Sequence, residues 1–337
     1  MLGIAQKFFA VTMFFLFFAG GLPNGGQRGA EAAAGNGFER HGRLSVLGTE
    51  LIGQNGETVQ LRGMSSHGLT WFPLYINARS MESLKGRGAN LFRAAMYVHG
   101  ENGGYSENQR ARQFNTAMMH LAVENALASD MYVIADWHLL EDQNPLYRLD
   151  EAMEFFDLLS ARYADEPGVI YEICNEPNGE TTWQDVKRYA EAVIPVIRKN
   201  SPKAVVIVGT PKHSSDLSGP MIDPLNFKNI MYAYHYYTGF ADHAFYAQLD
   251  TARIAGLPVF VSEWGISREK TSGVLDIAEA YDFIDYSKKN RISWANWSLS
   301  NEPEDWAAIR ADSEKISGWT DDDLTESGKV VFGAFAD

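Results

Sequence analysis

The feature that most constrains the fold is an alternation of short strand-like segments with longer amphipathic segments along most of the chain. Eight segments rich in β-branched and apolar residues are predicted strands: Gln60–Ser65, Asn90–Met96, Met131–Asp136, Val169–Asn175, Val205–Gly209, Ile230–His235, Val259–Glu263 and Ser293–Trp297. Helices are predicted between several of them, at Asn108–Ser129, Thr182–Asn200 and Val274–Asn290. This alternation predicts an α/β fold of the (β/α)₈ TIM-barrel type. A doubly wound open sheet would give a similar pattern.

A small β-hairpin is predicted before the first barrel strand. Leu44–Leu47 and Thr58–Leu61 are strand-like and flank a segment with Asn55-Gly56, a dipeptide typical of tight hairpin turns. No linker rich in Pro, Ser or Thr divides the rest of the sequence, so we expect residues 35–337 to form a single domain.

The N-terminus has the pattern of a cleaved export signal. Lys7 precedes an apolar run from Phe8 to Ala19, which is too short to span a hydrocarbon core of ~30 Å. Small residues follow, in Ala-x-Ala patterns at Ala30–Ala32 and Ala32–Ala34. We therefore predict a signal peptide over residues 1–34 and a secreted, extracellular protein. An uncleaved membrane anchor is the alternative.

Composition limits the partners that the protein can have. The formal net charge of −14 repels nucleic acid and anionic membranes, so neither is an expected partner. The single cysteine, Cys174, excludes an intrachain disulfide. The hydrophobic core must therefore hold the fold together, as it can in a chain of 337 residues.

Polar and aromatic residues occur at or just after the carboxyl ends of nearly all predicted strands. They are Ser66 and His67, Asp136 to His138, Asn175 and Glu176, His235 to Tyr237, Glu263 and Trp264, and Trp297, and Arg93 lies within the second strand. In a closed barrel these strand ends converge on one mouth, where active sites form. In an open sheet they would be scattered, so their placement favours the barrel.

Two acids, Glu176 and Glu263, lie at the ends of the fourth and seventh predicted strands, which are across a barrel from each other. Retaining glycosidases use two carboxyl groups ~5–5.5 Å apart, one as nucleophile and one as acid/base. The acid/base needs a raised pKa to keep its proton, and Arg93 would keep Glu263 ionised if it reached that carboxylate. A glutamate at a strand tip is also commonly a solvated loop acid, so these residues alone leave the function open.

Seven blocks of sequence resemble glycoside hydrolase family 5, and within it the bacterial-type endoglucanases, or cellulases. They are Arg62-Gly-Met-Ser-Ser-His-Gly-Leu-Thr-Trp71, Phe92-Arg-Ala-Ala-Met-Tyr97, Asp136-Trp-His138, Asn175-Glu176-Pro177, Tyr234-His-Tyr-Tyr237, Ser262-Glu263-Trp264-Gly265 and Trp294-Ala-Asn-Trp-Ser-Leu-Ser300. The resemblance runs in order from about Leu44 to the C-terminus. It implies that the (β/α)₈ domain is catalytic and that the enzyme retains anomeric configuration.

The resemblance also implies roles for individual side chains. Glu176 is then the acid/base, Glu263 the nucleophile, and Arg93 the residue that orients and ionises Glu263. Asn175 is expected to hydrogen-bond the 2-hydroxyl of the sugar in the −1 subsite. Further implied contacts around the −1 sugar and on the glycone side are His138, His235, Tyr237, Trp297, His67, Trp71 and Tyr97. Asp136 is expected to be a buried structural acid.

Two positions depart from the family pattern. Gly209-Thr-Pro-Lys-His213 has a histidine where relatives usually carry a tryptophan that stacks on the leaving-group sugar. After Ser300 the chain reads Asn301-Glu-Pro-Glu304, so Glu302 replaces a lysine that contacts the −2 sugar in relatives. Both His213 and Glu302 are expected to contact substrate and to change fine specificity, while the reaction type is retained.

The sequence therefore predicts a secreted, monomeric endo-β-1,4-glucanase that cuts internal bonds of cellulose and related β-glucans by double displacement, with no cofactor or metal. A β-mannanase, or a hydrolase of mixed-linkage glucan or xyloglucan, is the alternative on the same fold. A carbohydrate-binding protein on an inactive barrel is disfavoured because Glu176 and Glu263 are both present. A metal hydrolase using Asp136 and His138 is disfavoured because no His-Glu-x-x-His motif occurs.

Overall fold

The computed structural model describes residues 35–164, 166–239 and 244–336. Its strands are β1 Ser45–Leu47, β2 Glu50–Ile52, β3 Thr58–Val59, β4 Arg62–Ser66, β5 Leu91–Tyr97, β6 Tyr132–His138, β7 Val169–Glu172, β8 Val206–Val208, β9 Ile230–Tyr237, β10 Val259–Gly265 and β11 Trp294–Leu299. Its helices are α1 Phe38–His41, α2 Ala78–Gly86, α3 Gln109–Ala128, α4 Leu149–Arg162, α5 Trp183–Asn200, α6 Pro211–Ser214, α7 Ser218–Ile222, α8 Ala244–Ile254, α9 Ile277–Asn290 and α10 Glu326–Gly333.

Strands β4 to β11 form one closed barrel in chain order, with β11 pairing back onto β4. All neighbouring strands in it are parallel, and helices connect them. Each barrel strand overlaps one of the eight predicted segments. The predicted (β/α)₈ TIM barrel is therefore confirmed, and the open-sheet alternative is excluded.

The predicted helices begin at residues with capping chemistry. The Asn108 side chain accepts a hydrogen bond from the backbone of Ala111 at the start of α3. Thr182 and Asp185 form a reciprocal capping box at the start of α5. The Asp276 side chain accepts from the backbone N–H of Glu279 at the start of α9. These side chains satisfy amide groups that the first helical turn leaves without partners, so the helix starts are encoded locally.

The N-terminal sheet differs from the predicted hairpin. It is a three-stranded antiparallel sheet in the order β1-β2-β3, in which Val46 lies opposite Leu51. The predicted hairpin at Asn55-Gly56 is present, but its first strand is β2 and not the Leu44–Leu47 segment, which lies on the other side of β2. The Asn55-Gly56 turn instead joins β2 to β3, with Gly56 at a positive φ of 85°.

The barrel interior changes from apolar to polar along its axis. Near the amino ends of the strands, interior residues pack into one buried cluster with Leu51 and Val59 of the N-terminal sheet. The residues of this cluster that lie in barrel strands, or directly before them, are Leu61, Leu91, Tyr132, Ile134, Ile170, Val205, Ile207, Met231, Ala233, Phe260 and Ala295. Because side chains alternate between faces, residues two positions further along face the interior too. Those positions include Arg93, Asp136, Glu172 and His235.

No helix among the described residues has the length and apolar character needed to cross a membrane. The predicted signal peptide, residues 1–34, lies outside the described part of the chain.

Replacing Ile134 by alanine tests the interior packing. Ile134 is fully buried on β6, so Ile134→Ala is expected to lower the free energy of unfolding by about 2–5 kcal/mol, measured by urea denaturation. Ile254→Ala at the end of α8 is the matched control, because Ile254 is 89% exposed. The control is expected to change the free energy by no more than about 0.5 kcal/mol. Equal losses in the two variants would contradict the interior position of Ile134.

Candidate active site

A fully buried guanidinium, that of Arg93 on β5, organises the mouth of the barrel. Its Nε donates to Glu172 Oε2 at 2.7 Å, and its Nη1 donates to Glu263 Oε2 at 3.0 Å. Its Nη2 donates to Asn175 Oδ1 at 2.6 Å and lies 3.0 Å from Asp136 Oδ2. Burial by itself lowers the pKa of Arg93, but the three carboxylates outweigh burial and raise it. The guanidinium therefore stays charged.

Glu263, in β10, is buried and held by two donors. Tyr237 Oη donates to Glu263 Oε1 at 2.7 Å, while Arg93 donates to the other oxygen. Burial raises the pKa of Tyr237 well above its usual range, and the nearby carboxylates of Glu263 and Glu176 raise it further. The phenol therefore keeps its proton and remains a donor. Two fixed donors therefore orient the Glu263 carboxylate.

Glu176 follows β7 and has one imidazole on each carboxylate oxygen. His235 Nδ1 lies 2.8 Å from Oε1, and His213 Nδ1 lies 3.0 Å from Oε2. Burial raises the pKa of Glu176, but the hydrogen bonds with His213 and His235 outweigh it and lower the pKa to about 2. The expectation of a raised pKa for Glu176 is therefore wrong for this arrangement, because both oxygens accept hydrogen bonds.

His235 carries a proton in this arrangement. Burial lowers the pKa of His235, but the carboxylate of Glu172, 4.0 Å from Nε2, and the hydrogen bond with Glu176 raise it to about 9. Its Nε2 is 3.1 Å from Ser262 Oγ, and that hydroxyl donates to Glu172 Oε1 at 2.6 Å. A chain of hydrogen bonds thus links Glu176 to the carboxylates around Arg93.

Glu172 is a site residue that the sequence analysis missed. It is fully buried; burial raises its pKa, but the charge of Arg93, the nearby His235 and the hydrogen bond from Arg93 lower it to about 2. Its position in the predicted strand could have identified it as an interior residue. Glu172 lies two residues after Ile170 and therefore faces the barrel interior, where an acid needs a cationic partner.

Asn175 is oriented by a neutral histidine. Burial lowers the pKa of His138 to about 3, and the charge of Arg93 adds to this effect. Its Nδ1 then donates to Asp136 Oδ2 at 2.7 Å, which leaves Nε2 to accept from Asn175 Nδ2 at 3.3 Å. Asp136 is fully buried and paired with His138 and Arg93, as expected for a structural acid.

The two candidate catalytic carboxyl groups lie close together at the mouth. One oxygen of Glu176, one oxygen of Glu263 and a ring nitrogen of His235 are all within 4.8 Å of one another. This separation suits a retaining glycosidase, whose carboxyl groups are ~5–5.5 Å apart. The same three groups have the spacing of a metal site, but a proton competes for the His235 ring below a pH of about 9.

The predicted aromatic contacts also converge on the mouth. Trp297 is 4% exposed and stacks on His138, with ring centroids 5.2 Å apart and planes 15° apart. Trp71 is 43% exposed, and its ring centroid lies 4.3 Å from that of Tyr97. His67 packs edge-on against Trp297 at 5.1 Å. One partly exposed and several buried rings therefore line this end of the barrel.

The two unusual positions have different surroundings. His213 contacts the carboxylate of Glu176 instead of presenting a large stacking surface. Glu302 is half-buried. Burial raises the pKa of the neighbouring Glu304, and the negative charge of Glu302 raises it further. Glu304 has a fully buried side chain, with Oε2 3.0 Å from Lys270 Nζ and Oε1 3.8 Å from His67 Nδ1. The contact between Glu304 and Lys270 is not predictable from the sequence, because two separate loops bring these residues together.

Replacing the buried guanidinium tests its structural role. Arg93→Gln leaves three buried acidic side chains, including the ionised Glu172, without their cation, so we expect the free energy of unfolding at pH 7 to fall by about 3–5 kcal/mol. The pKa of Glu172 is about 2, below the ordinary 4.5, so its pairing stabilises the fold fully above about pH 4.5 and progressively less as the pH falls toward 2. The loss measured by urea denaturation should therefore be smaller at pH 3 than at pH 7.

The control is Arg79→Gln, which removes an exposed arginine from α2 and is expected to have little effect at either pH. A loss in Arg93→Gln that is the same at pH 3 and pH 7 would show that ionised carboxylates are not its cause.

Comparison with known proteins identifies the family. A family model described as Cellulase (glycosyl hydrolase family 5) matches residues 52–303. Endoglucanase A of Butyrivibrio fibrisolvens is 43% identical over 291 residues, covering 85% of this chain and 67% of that protein. An endoglucanase of Clostridium saccharobutylicum is 40% identical over 292 residues, covering 86% of this chain and 64% of that protein. The chain thus spans about two thirds of the length of these relatives.

A solved structure gives the same result. The catalytic domain of an endoglucanase from Thermobifida fusca superposes with a TM-score of 0.83 at 36% identity, covering 89% of this chain and 99% of that chain. The family model covers most of the chain, and the paired carboxyl groups lie at the mouth of the expected barrel. The chain therefore belongs to glycoside hydrolase family 5.

Proposed function

We propose that this protein is a secreted retaining endo-β-1,4-glucanase that hydrolyses internal bonds of cellulose and related β-glucans. The observation that carries the proposal is the pair of glutamates, Glu176 and Glu263, with carboxylate oxygens within 4.8 Å and contrasting neighbours. Glu263 is bound by the guanidinium of Arg93 and the phenol of Tyr237, whereas Glu176 is bound by two imidazoles. Membership of a retaining family and similarity to proteins named endoglucanases support the assignment.

In the first step, the Glu263 carboxylate attacks the anomeric carbon of the −1 sugar. The bond from that carbon to the glycosidic oxygen breaks, and Glu176 gives a proton to the departing oxygen. The product is a glycosyl ester on Glu263. Asn175, held by Arg93 and His138, is positioned to hydrogen-bond the sugar 2-hydroxyl as charge develops on the ring.

We propose that the proton for this step comes from His235, which hydrogen-bonds to Glu176. The pKa of His235 is raised to about 9, and its Nδ1 lies 2.8 Å from Glu176 Oε1, so the imidazolium can supply this proton. A glucan that fills the mouth displaces water, which disfavours the ion pair relative to the neutral pair. The proton then passes from Nδ1 to the carboxylate and from there to the leaving oxygen.

In the second step, Glu176 acts as a base. Its carboxylate takes a proton from water, the water oxygen attacks the anomeric carbon, and the ester bond to Glu263 breaks. Two successive inversions give net retention of configuration.

The substrate is proposed to lie across the aromatic residues of the mouth. Apolar faces of β-linked glucose pack on aromatic rings, whose large rigid surfaces suit such a ligand. The residues proposed to contact substrate are His67, Trp71, Tyr97, His138, His213, Trp297 and Glu302. We further propose that residues 35–337 act as one monomeric catalytic domain after residues 1–34 are removed on export; the support is the signal-like sequence of that segment.

Azide rescue tests the roles of the two glutamates. With 2,4-dinitrophenyl β-cellobioside, whose leaving group needs no proton, Glu176→Ala should still form the glycosyl ester but hydrolyse it about 10²–10⁴-fold more slowly. Azide needs no general base, so it should restore turnover and yield β-cellobiosyl azide. Glu263→Ala, which cannot form the ester, should yield none of this product.

The matched control is Glu180→Ala, which removes an exposed glutamate four residues from Glu176 and should behave as wild type. Formation of β-cellobiosyl azide by Glu263→Ala, or full turnover by Glu176→Ala without azide, would refute the assignment.

Oligosaccharide hydrolysis tests the substrate and the stereochemistry. Cellopentaose should be cut at internal bonds faster than mannopentaose, and proton NMR should detect the β-anomer of the new reducing end first. Faster cleavage of mannopentaose would favour the β-mannanase alternative. An initial α-anomer would exclude double displacement.

A further inference from the structure

His213 occupies the outer oxygen of the proposed acid/base. Its Nδ1 lies 3.0 Å from Glu176 Oε2, and its side chain is 60% exposed. His235, on the other oxygen, is 2% exposed and anchored through Ser262. Glu176 is therefore held between a buried imidazole and one that solvent reaches.

The backbone conformation around His213 holds its ring beside the Glu176 carboxylate. Residues 212–214 have φ values of 58°, 58° and 53°, so three successive non-glycine residues are left-handed. The backbone N–H of His213 donates to Pro177 O at 3.0 Å, and Ser214 Oγ donates to Asn175 O at 2.6 Å. These bonds attach the turn to the residues on either side of Glu176. The contact of the His213 ring is therefore fixed by main-chain geometry and does not depend on the ion pair alone.

We propose that His213 is a positioning residue for the acid/base: its ring orients the Glu176 carboxylate and, as an imidazolium, favours the ionised form that acts as the base in the second step. This inference rests on the proposed function of Glu176. It assigns the histidine a role in the pH dependence of the reaction, in addition to the contact with substrate expected from the sequence.

The charge interaction has a defined pH window. The hydrogen bond to Glu176 raises the pKa of His213 above its ordinary value, although burial opposes this. The imidazolium–carboxylate pair therefore exists above the pKa of Glu176 and below that of His213. As the pH rises through the pKa of His213, the ring becomes neutral and its stabilisation of the carboxylate charge is lost.

Other titratable groups face this pair, and they are the same in wild type and in a His213 variant. They are Tyr97 on β5, Asp136 and His138 on β6, His235 and Tyr237 on β9, and Glu263 on β10. Lys212, the cation adjacent to His213, is turned toward Asp216, with Nζ 2.8 Å from Oδ2. It therefore provides a control charge on the same turn.

The test is the pH dependence of kcat for hydrolysis of 2,4-dinitrophenyl β-cellobioside. The informative part is the acid limb of the profile, where kcat falls as the pH is lowered. When hydrolysis of the glycosyl ester limits kcat, Glu263 is esterified, so this limb reports the ionisation of Glu176. His213→Asn removes the imidazolium, keeps an amide donor near the position of Nδ1 and suits a left-handed backbone. We expect the limb to move to higher pH by about 0.5–1 unit, and the two profiles to converge where His213 is neutral.

Lys212→Gln is the matched control and should leave the limb at its wild-type position. An unmoved limb in His213→Asn, or equal shifts in both variants, would overturn the role of His213, and urea denaturation of each variant verifies that it is folded. His213→Gln replaces His213→Asn if the latter is unfolded. Full turnover by Glu176→Ala would instead overturn the acid/base assignment, so the two failures are distinguishable.

Discussion

The active site depends on one buried cation. Arg93 has no contact with solvent, and such a charge is stable inside a protein only when its donors are matched by acceptors. Its planar group meets acceptors that come from four other strands or the segments after them: Ser65, Asp136, Glu172, Asn175 and Glu263. A lysine could not satisfy this arrangement, because its ammonium lacks the fork of N–H groups. The same contacts therefore link the strands at the mouth of the barrel and orient the reacting groups.

The contrast between the two catalytic glutamates comes from their neighbours. Glu263 is bound by groups that hold their protons tightly, a guanidinium and a phenol, so neither can pass a proton to it. Glu176 is bound by imidazoles, which exchange protons within the pH range of most enzymes. One carboxylate is thereby suited to attack carbon and the other to move protons. Because hydrogen bonds lower the pKa of Glu176 and raise that of His235, the proposed mechanism takes the proton for the leaving oxygen from His235.

Much of the fold and the core of the site could be read from the sequence. The barrel strands are buried on both faces, so their apolar runs are continuous, and their ends carry the reactive residues. The middle strand of the N-terminal sheet, Glu50–Ile52, was not predicted because three residues are too few to show an alternation of apolar and polar side chains. The contact between His213 and Glu176 was inaccessible, because nothing in Pro-Lys-His-Ser indicates three left-handed residues. The ion pair between Lys270 and Glu304 joins two loops whose conformations have no sequence periodicity.

The alternation of interior and exterior side chains limits where this chain tolerates changes in length. A single residue inserted early in β5 would turn Arg93 toward the surrounding helices and bring its outward-facing neighbour, Phe92, into the barrel. The same insertion in a connecting loop leaves the interior and exterior positions of every strand unchanged. Insertions and deletions should therefore accumulate in the loops at the mouth, such as the turn that carries His213, and be rejected within the strands. New substrate preferences can arise in this way while the reacting groups stay in place.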